Sequence, residues 1–110
     1  MKSLLLFLLT IVVAAPAGAL DVVATSPSMG ALVRAVAPDA RLTVLAGPDR
    51  DLHMLQAKPN MIRALRSAEL VVAVGAELEL GWLPAAIASA ANPSILPGQS
   101  GYFEAAAQVP

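Results

Sequence analysis

The groups able to do chemistry in this chain are few: one histidine, eight carboxylates and no cysteine. The histidine, His53, closes a polar loop, Gly47-Pro48-Asp49-Arg50-Asp51-Leu52-His53, which follows the apolar run Leu42-Thr43-Val44-Leu45, read as a buried strand. A neutral imidazole at the exit of a strand is a natural first ligand for a transition metal. A zinc site takes three or four protein ligands, so one imidazole marks the start of a site and not the whole of it. An ordinary surface histidine is the competing reading. Position argues against it, because Pro48 and Pro59 restrict the backbone around the loop, and rigidly held loops are where binding groups concentrate.

The neighbouring carboxylates admit several roles. Asp49 and Asp51 could ligate a metal directly, orient His53 through its second ring nitrogen, or shape the turn by bonding to nearby backbone amides. Glu77 and Glu79 alternate with apolar residues just past the run Leu70 to Val74, which predicts a solvated loop. The segment Gly75 to Gly81 contains no phosphate-loop pattern. Ser26 and Ser28 have no histidine or lysine base nearby in the sequence, so nucleophilic catalysis is not indicated. Met54, Met61 and Trp82 read as packing residues, with Trp82 as the large anchor of a helix.

Something must position these groups, and the elements follow from hydrophobic periodicity. Residues 1–19 read as an export signal. Met1-Lys2-Ser3 is a short positive start, Leu4 to Ala15 an apolar core, Pro16 a helix breaker, and Ala17-Gly18-Ala19 a small-residue cleavage site. The apolar stretch is shorter than the ~20 residues that span a bilayer, which argues against a retained anchor. The mature chain is then expected to begin at Leu20-Asp21, outside the cytoplasm. Zero cysteines exclude a disulfide scaffold and any thiolate metal site. A net charge of −1 with 14% charged residues suggests no nucleic-acid surface.

Asp21 to Thr25, Arg41 to Leu45 and Leu70 to Val74 read as strands, the last continuously apolar as in a covered central strand. Ser26-Pro27-Ser28 opens a helix whose apolar positions are Met29, Leu32, Val33 and Val36. Asn60 is the expected cap of a second helix carrying Met61, Ile62 and Leu65, with Arg63 and Arg66 exposed. Trp82, Leu83, Ala86, Ile87 and Ala90 mark a third, where Pro84 is tolerable only in the first turn. Residues 92–101, rich in proline and glycine, read as a loop. This alternation predicts an α/β fold of right-handed βαβ units on a parallel sheet. Ligands of such sheets bind at the carboxyl ends of the strands. The His53 loop and the turn from Gly75 to Glu79 should therefore share that edge.

In order along the chain stand Val22-Val23-Ala24-Thr25-Ser26-Pro27, the segment Val44 to His53, Lys58-Pro59-Asn60, Ala68-Glu69-Leu70-Val71-Val72 and Gly81-Trp82-Leu83. Together they resemble the N-terminal part of the periplasmic metal-binding receptors of zinc and manganese ABC importers, over essentially the whole mature chain. The resemblance implies two α/β lobes joined by a long helix, with the metal held in the cleft between them. His53 matches that family's first ligand. The other ligands, usually histidines and a carboxylate, would lie beyond the equivalent of Pro110, so residues 20–110 would form part of the N-terminal lobe. It further implies a non-enzymatic, monomeric receptor that passes zinc, or alternatively manganese, to an inner-membrane permease. Leu52, and Gln56-Ala57-Lys58, depart from the family's commonest pattern and leave the metal open. The competing functions are a metal-dependent hydrolase and an adhesion or interaction module on the same scaffold. A single lobe is also expected to leave Trp82, Ile87 and Phe103 more exposed than a complete receptor would.

Overall fold

The computed structural model describes residues 18–110; the leader read at residues 1–19 lies outside them apart from Gly18 and Ala19. Strand β1 (Asp21–Ala24) is followed by helix α1 (Pro27–Val36), β2 (Arg41–Val44), α2 (Pro59–Ser67), β3 (Leu70–Ala73), α3 (Leu83–Ala90) and β4 (Tyr102–Glu104). The strands form one parallel sheet in the order β2-β1-β3-β4. Val23 of β1 pairs with Thr43 on one side and Val71 on the other. The chain steps one way from β1 to β2 and the other way thereafter. Right-handed crossovers then require α1 on one face and α2 and α3 on the opposite face.

Side-chain alternation fits that arrangement. Val22 and Ala24 pack with Met29 and Val33 of α1, while Val23 packs with Leu65, Leu83 and Ile87 on the other face. Helix α1 approaches β2 closely at Gly30, where a Cβ would stand 2.8 Å from Val44 Cγ2. Ser26 caps α1 by accepting from the Met29 backbone N–H at 3.3 Å. The carbonyls at the end of α2 are answered from outside the helix. Asn92 Nδ2 donates to Leu65, Arg66 and Ala68 carbonyls at 3.0, 3.2 and 2.8 Å, which supplies partners that a helix end leaves orphaned.

Several local expectations are corrected. Helix α2 starts two residues earlier than expected, with Lys58 at the N-cap and Asn60 inside the first turn. Pro59 explains the shift, since its fixed φ and missing N–H suit the first helical position. Strand β2 is a half-exposed sheet edge, not a buried strand. The tail holds a 3-10 turn at Pro93–Ile95 and then delivers β4, whose three residues are too few to show a period. Leu32 and Val36 are 52% and 85% exposed. Among the described residues α1 is the only α-helix on their face of the sheet, and it covers β1 and β2. The apolar edge of α1 therefore overhangs β3 and β4, beside an exposed Phe103.

Trp82 and Ile87, expected to be more exposed in a single lobe than in a complete receptor, are 3% and 2% accessible. They pack within the main core, whereas Phe103 is left open as expected. Among the described residues every buried side-chain nitrogen and oxygen has a hydrogen-bond partner. No helix among them is long and apolar enough to cross a membrane.

Candidate metal-binding site

The loop that carries His53 begins as an extension of the sheet. Leu45 and Ala46 donate their N–H groups to the carbonyls of Ala24 and Thr25 at 2.9 and 3.1 Å, so the strand pairing persists past β2. The chain then turns at Gly47–Arg50 and again at Asp51–Met54, each closed by a backbone bond. Within the second turn Leu52 is 8% exposed and packs into the main core. Its carbonyl accepts from Trp82 Nε1 at 2.7 Å. Gly81 lies against the same segment, where a Cβ would come within 3.3 Å of the His53 carbonyl oxygen. Helix α3 thus pins the middle of the loop and leaves the His53 side chain 64% exposed at the carboxyl edge of the sheet.

Of the two loop aspartates, the structure brings only Asp51 to the histidine. Its Oδ1 accepts the His53 backbone N–H at 2.9 Å and stands 3.0 Å from His53 Nδ1. Those two contacts, the backbone N–H first, hold the Asp51 carboxyl below the usual carboxylate range. Two of the roles read for Asp51 therefore coexist: it shapes the turn and it touches the ring. Asp49 is exposed and lines a cleft with Arg50 and Lys58 that does not include His53. Met54, next to His53, is 77% exposed.

Glu79 is the residue that sequence reading misplaced. It is 4% exposed, not solvated. The chain leaves β3 through three successive left-handed residues, Gly75, Ala76 and Glu77, at φ 84°, 52° and 66°. That coil returns the Glu79 carboxylate over the strand ends. Oε2 accepts from Thr25 Oγ1 at 2.6 Å and from the Val74 N–H at 2.7 Å, and Oε1 accepts from the Gly75 N–H at 2.9 Å. The Glu79 carbonyl then accepts the Trp82 and Leu83 N–H groups at 3.2 and 3.0 Å, which leads directly into α3. Glu77 is exposed as expected. The signal for Glu79 was Gly75 at a strand exit: such a turn aims free N–H groups at whatever acceptor follows.

At the outer edge, Tyr102 Oη donates to Glu104 Oε1 at 2.9 Å. Burial, with Glu104 and Glu79 nearby, pushes the Tyr102 phenol well above its ordinary value. Among the described residues no group of three or more His, Cys, Asp or Glu side chains could hold a metal ion together. What the site offers is one imidazole, fixed at its root and open at its far side.

These features define a class: a doubly wound α/β lobe that presents a single exposed imidazole at the carboxyl edge of its sheet. The family model of the periplasmic zinc-uptake complex component A, ZnuA, matches residues 22–107, and the chain belongs to that family. Solved structures agree in fold. A zinc-bound ZnuA deletion mutant superimposes with a TM-score of 0.62 at 31% identity, over 67% of this chain and 29% of that one. A second ZnuA structure gives 0.60 at 23% identity, over 78% and 31%. The periplasmic zinc binding protein TroA from Treponema pallidum gives 0.56 at 24% identity, over 79% and 29%. The last two speak for the fold alone. The chain spans about three-tenths of the length of the solved structures it matches.

Proposed function

We propose that residues 20–110 are part of the N-terminal lobe of an extracytoplasmic receptor that captures a divalent transition metal and passes it to an inner-membrane ABC permease. His53 is the ligand this lobe contributes. The observation that carries the reading is the placement of His53: it stands at the carboxyl edge of a parallel sheet, on a loop anchored by Trp82, with its ring turned to solvent. Membership of the zinc-uptake family supports it. Zinc is the favoured cargo because imidazole suits it, with manganese the alternative where carboxylates dominate the remaining ligands. Residues 1–19 direct export to the periplasm and are removed after Ala19.

Capture requires no bond to be made or broken in a substrate. One imidazole exchanges for one water of the hydrated ion, and affinity grows only as further ligands complete the cage. A second lobe closing over the His53 edge would supply those ligands and exclude water. A hydrolase would need a base beside an open metal position. The burial of Glu79 and its three donors argue against its serving as that base.

The test is a zinc and manganese titration against a competing chelator, with both lobes present. His53→Ala should weaken zinc binding by on the order of 100-fold or more, since even groups behind the ligands are worth 10–100-fold. The melting temperature of the metal-free protein should hardly move, because the ring faces solvent and its partner Asp51 is exposed as well. Unchanged affinity would return His53 to the status of a surface histidine.

A further inference from the structure

We propose that Asp51 is a positioning residue that makes Nε2 the ligating nitrogen of His53; the proposal rests on the reading of His53 as a metal ligand. An ionised carboxylate can only accept hydrogen bonds. With Asp51 Oδ1 at 3.0 Å from Nδ1, the neutral ring must carry its proton on Nδ1 for the contact to be a bond. The lone pair is then left on Nε2, and only a nitrogen with a free lone pair binds a metal.

The geometry is built and not a chance meeting of two surface side chains. Asp51 and His53 flank Leu52, whose side chain is in the core and whose carbonyl is held at 2.7 Å by Trp82 Nε1. The same Oδ1 also accepts the His53 N–H at 2.9 Å, which fixes the carboxylate relative to the backbone from which the ring hangs. Gly81 leaves room for the His53 carbonyl on the other side of the loop. Two residues apart, on either side of a pinned one, the carboxylate and the imidazole have little freedom to part. The carboxylate also makes the ring a stronger donor to a metal, because its charge is placed behind the nitrogen that keeps the proton.

His53 is the only histidine in the chain, so its ring nitrogens give a single pair of nitrogen NMR signals. The metal-free chain, labelled with nitrogen-15, is observed at about pH 8, above the ordinary imidazole value of about 6.5. The expected spectrum shows a protonated Nδ1 and an unprotonated Nε2. Asp51→Ala should release the ring into a mixture of both tautomers. Asp51→Asn, which keeps an acceptor oxygen, should restore the Nδ1-protonated form. A purely turn-forming Asp51 would move none of these signals. Zinc added alone should perturb Nε2 and not Nδ1, with an affinity about 10–100-fold weaker in Asp51→Ala. A wild-type ring that is protonated on Nε2 or already mixed, or a tautomer unchanged in Asp51→Ala, would overturn the proposal. A ring that ignores zinc while keeping its Nδ1 proton would sink the metal reading and leave the assignment of Asp51 standing.

Discussion

Replacing Glu79 is the sharpest test of how the binding edge is held. Its carboxylate is buried without a cationic partner among the described residues, and three donors stand in for the water it has lost. A hydrogen bond to a charged group is worth about 1.5–3 kcal/mol, and each buried donor left bare costs about 1–3 kcal/mol. Glu79→Ala strips the Thr25 hydroxyl and the Val74 and Gly75 N–H groups at once. Water entering the vacated space would recover part of that loss. We expect about 3–5 kcal/mol of destabilisation, a large fraction of the ~5–15 kcal/mol that holds a small domain together.

Glu79→Gln is more discriminating, because it keeps the volume. Whichever way the amide is turned, one NH2 group must face a donor. If its oxygen takes the place of Oε2, the Thr25 and Val74 bonds survive and the Gly75 N–H is opposed. The expected cost is about 1–3 kcal/mol. Urea unfolding of the mature chain, followed by the fluorescence of the sole tryptophan, should show this as a midpoint lowered by about 1 M or more at a slope near 1 kcal/mol/M. Thr25→Val should cost about 1 kcal/mol and lose most of that effect in a Glu79→Ala background, where the acceptor of its bond is gone. A Glu79→Gln midpoint within the ±0.5 kcal/mol typical of surface substitutions would refute the argument and return Glu79 to solvent.

Three further outcomes follow from the same contacts. Trp82→Phe removes the Nε1–H donor to Leu52 and part of the ring volume, and should cost about 2–3 kcal/mol; amide exchange at His53 and Met54 should quicken, and unchanged exchange would mean the loop is held by something else. The sole tyrosine, Tyr102, should form phenolate well above the ordinary value of about 10, read by ultraviolet absorbance. Its raised value stabilises the folded chain fully below pH 10 and is lost as pH climbs towards the folded value, so the melting temperature should fall in alkali; ionisation near pH 10 in the folded chain would contradict the burial. N-terminal sequencing of exported protein should read Leu-Asp-Val, and a mature chain that keeps Met1 would overturn cleavage after Ala19.

What the sequence disclosed was what periodicity and turn chemistry control. Three strands, three helices, the Ser26 cap and the first-turn placement of Pro84 were visible because local preference and tertiary structure agree there. The strand-exit position of His53 was visible for the same reason. Strand β4 was not, since its three residues carry no alternation and are held as a strand by pairing with Val71 to Ala73. The exposure of Leu32 and Val36 was hidden because a helical stripe does not say how wide a sheet lies beneath it. Glu79 was hidden more deeply. Its three donors come from just past β1 and β3, so its burial is a property of the sheet order and of a left-handed turn, and Gly75 at the strand exit is the one sign of it in the sequence.

That hidden residue bears on where the proposed metal site lies. In a sheet ordered β2-β1-β3-β4 the crevice open to ligands falls between β1 and β3, where the connections diverge. Here Thr25 follows β1, Gly75 comes soon after β3, and Glu79 bonds to both, so an internal carboxylate occupies the place where a ligand would ordinarily enter. The same turn starts α3 and so places Trp82, whose indole reaches across to the loop after β2. The free edge of the sheet is thereby shifted from the crevice to that loop, where His53 stands. Filling the crevice and offering the histidine are two consequences of one segment, Gly75 to Trp82. A substitution at Glu79 should accordingly be felt at the His53 loop, although the carboxylate never touches it.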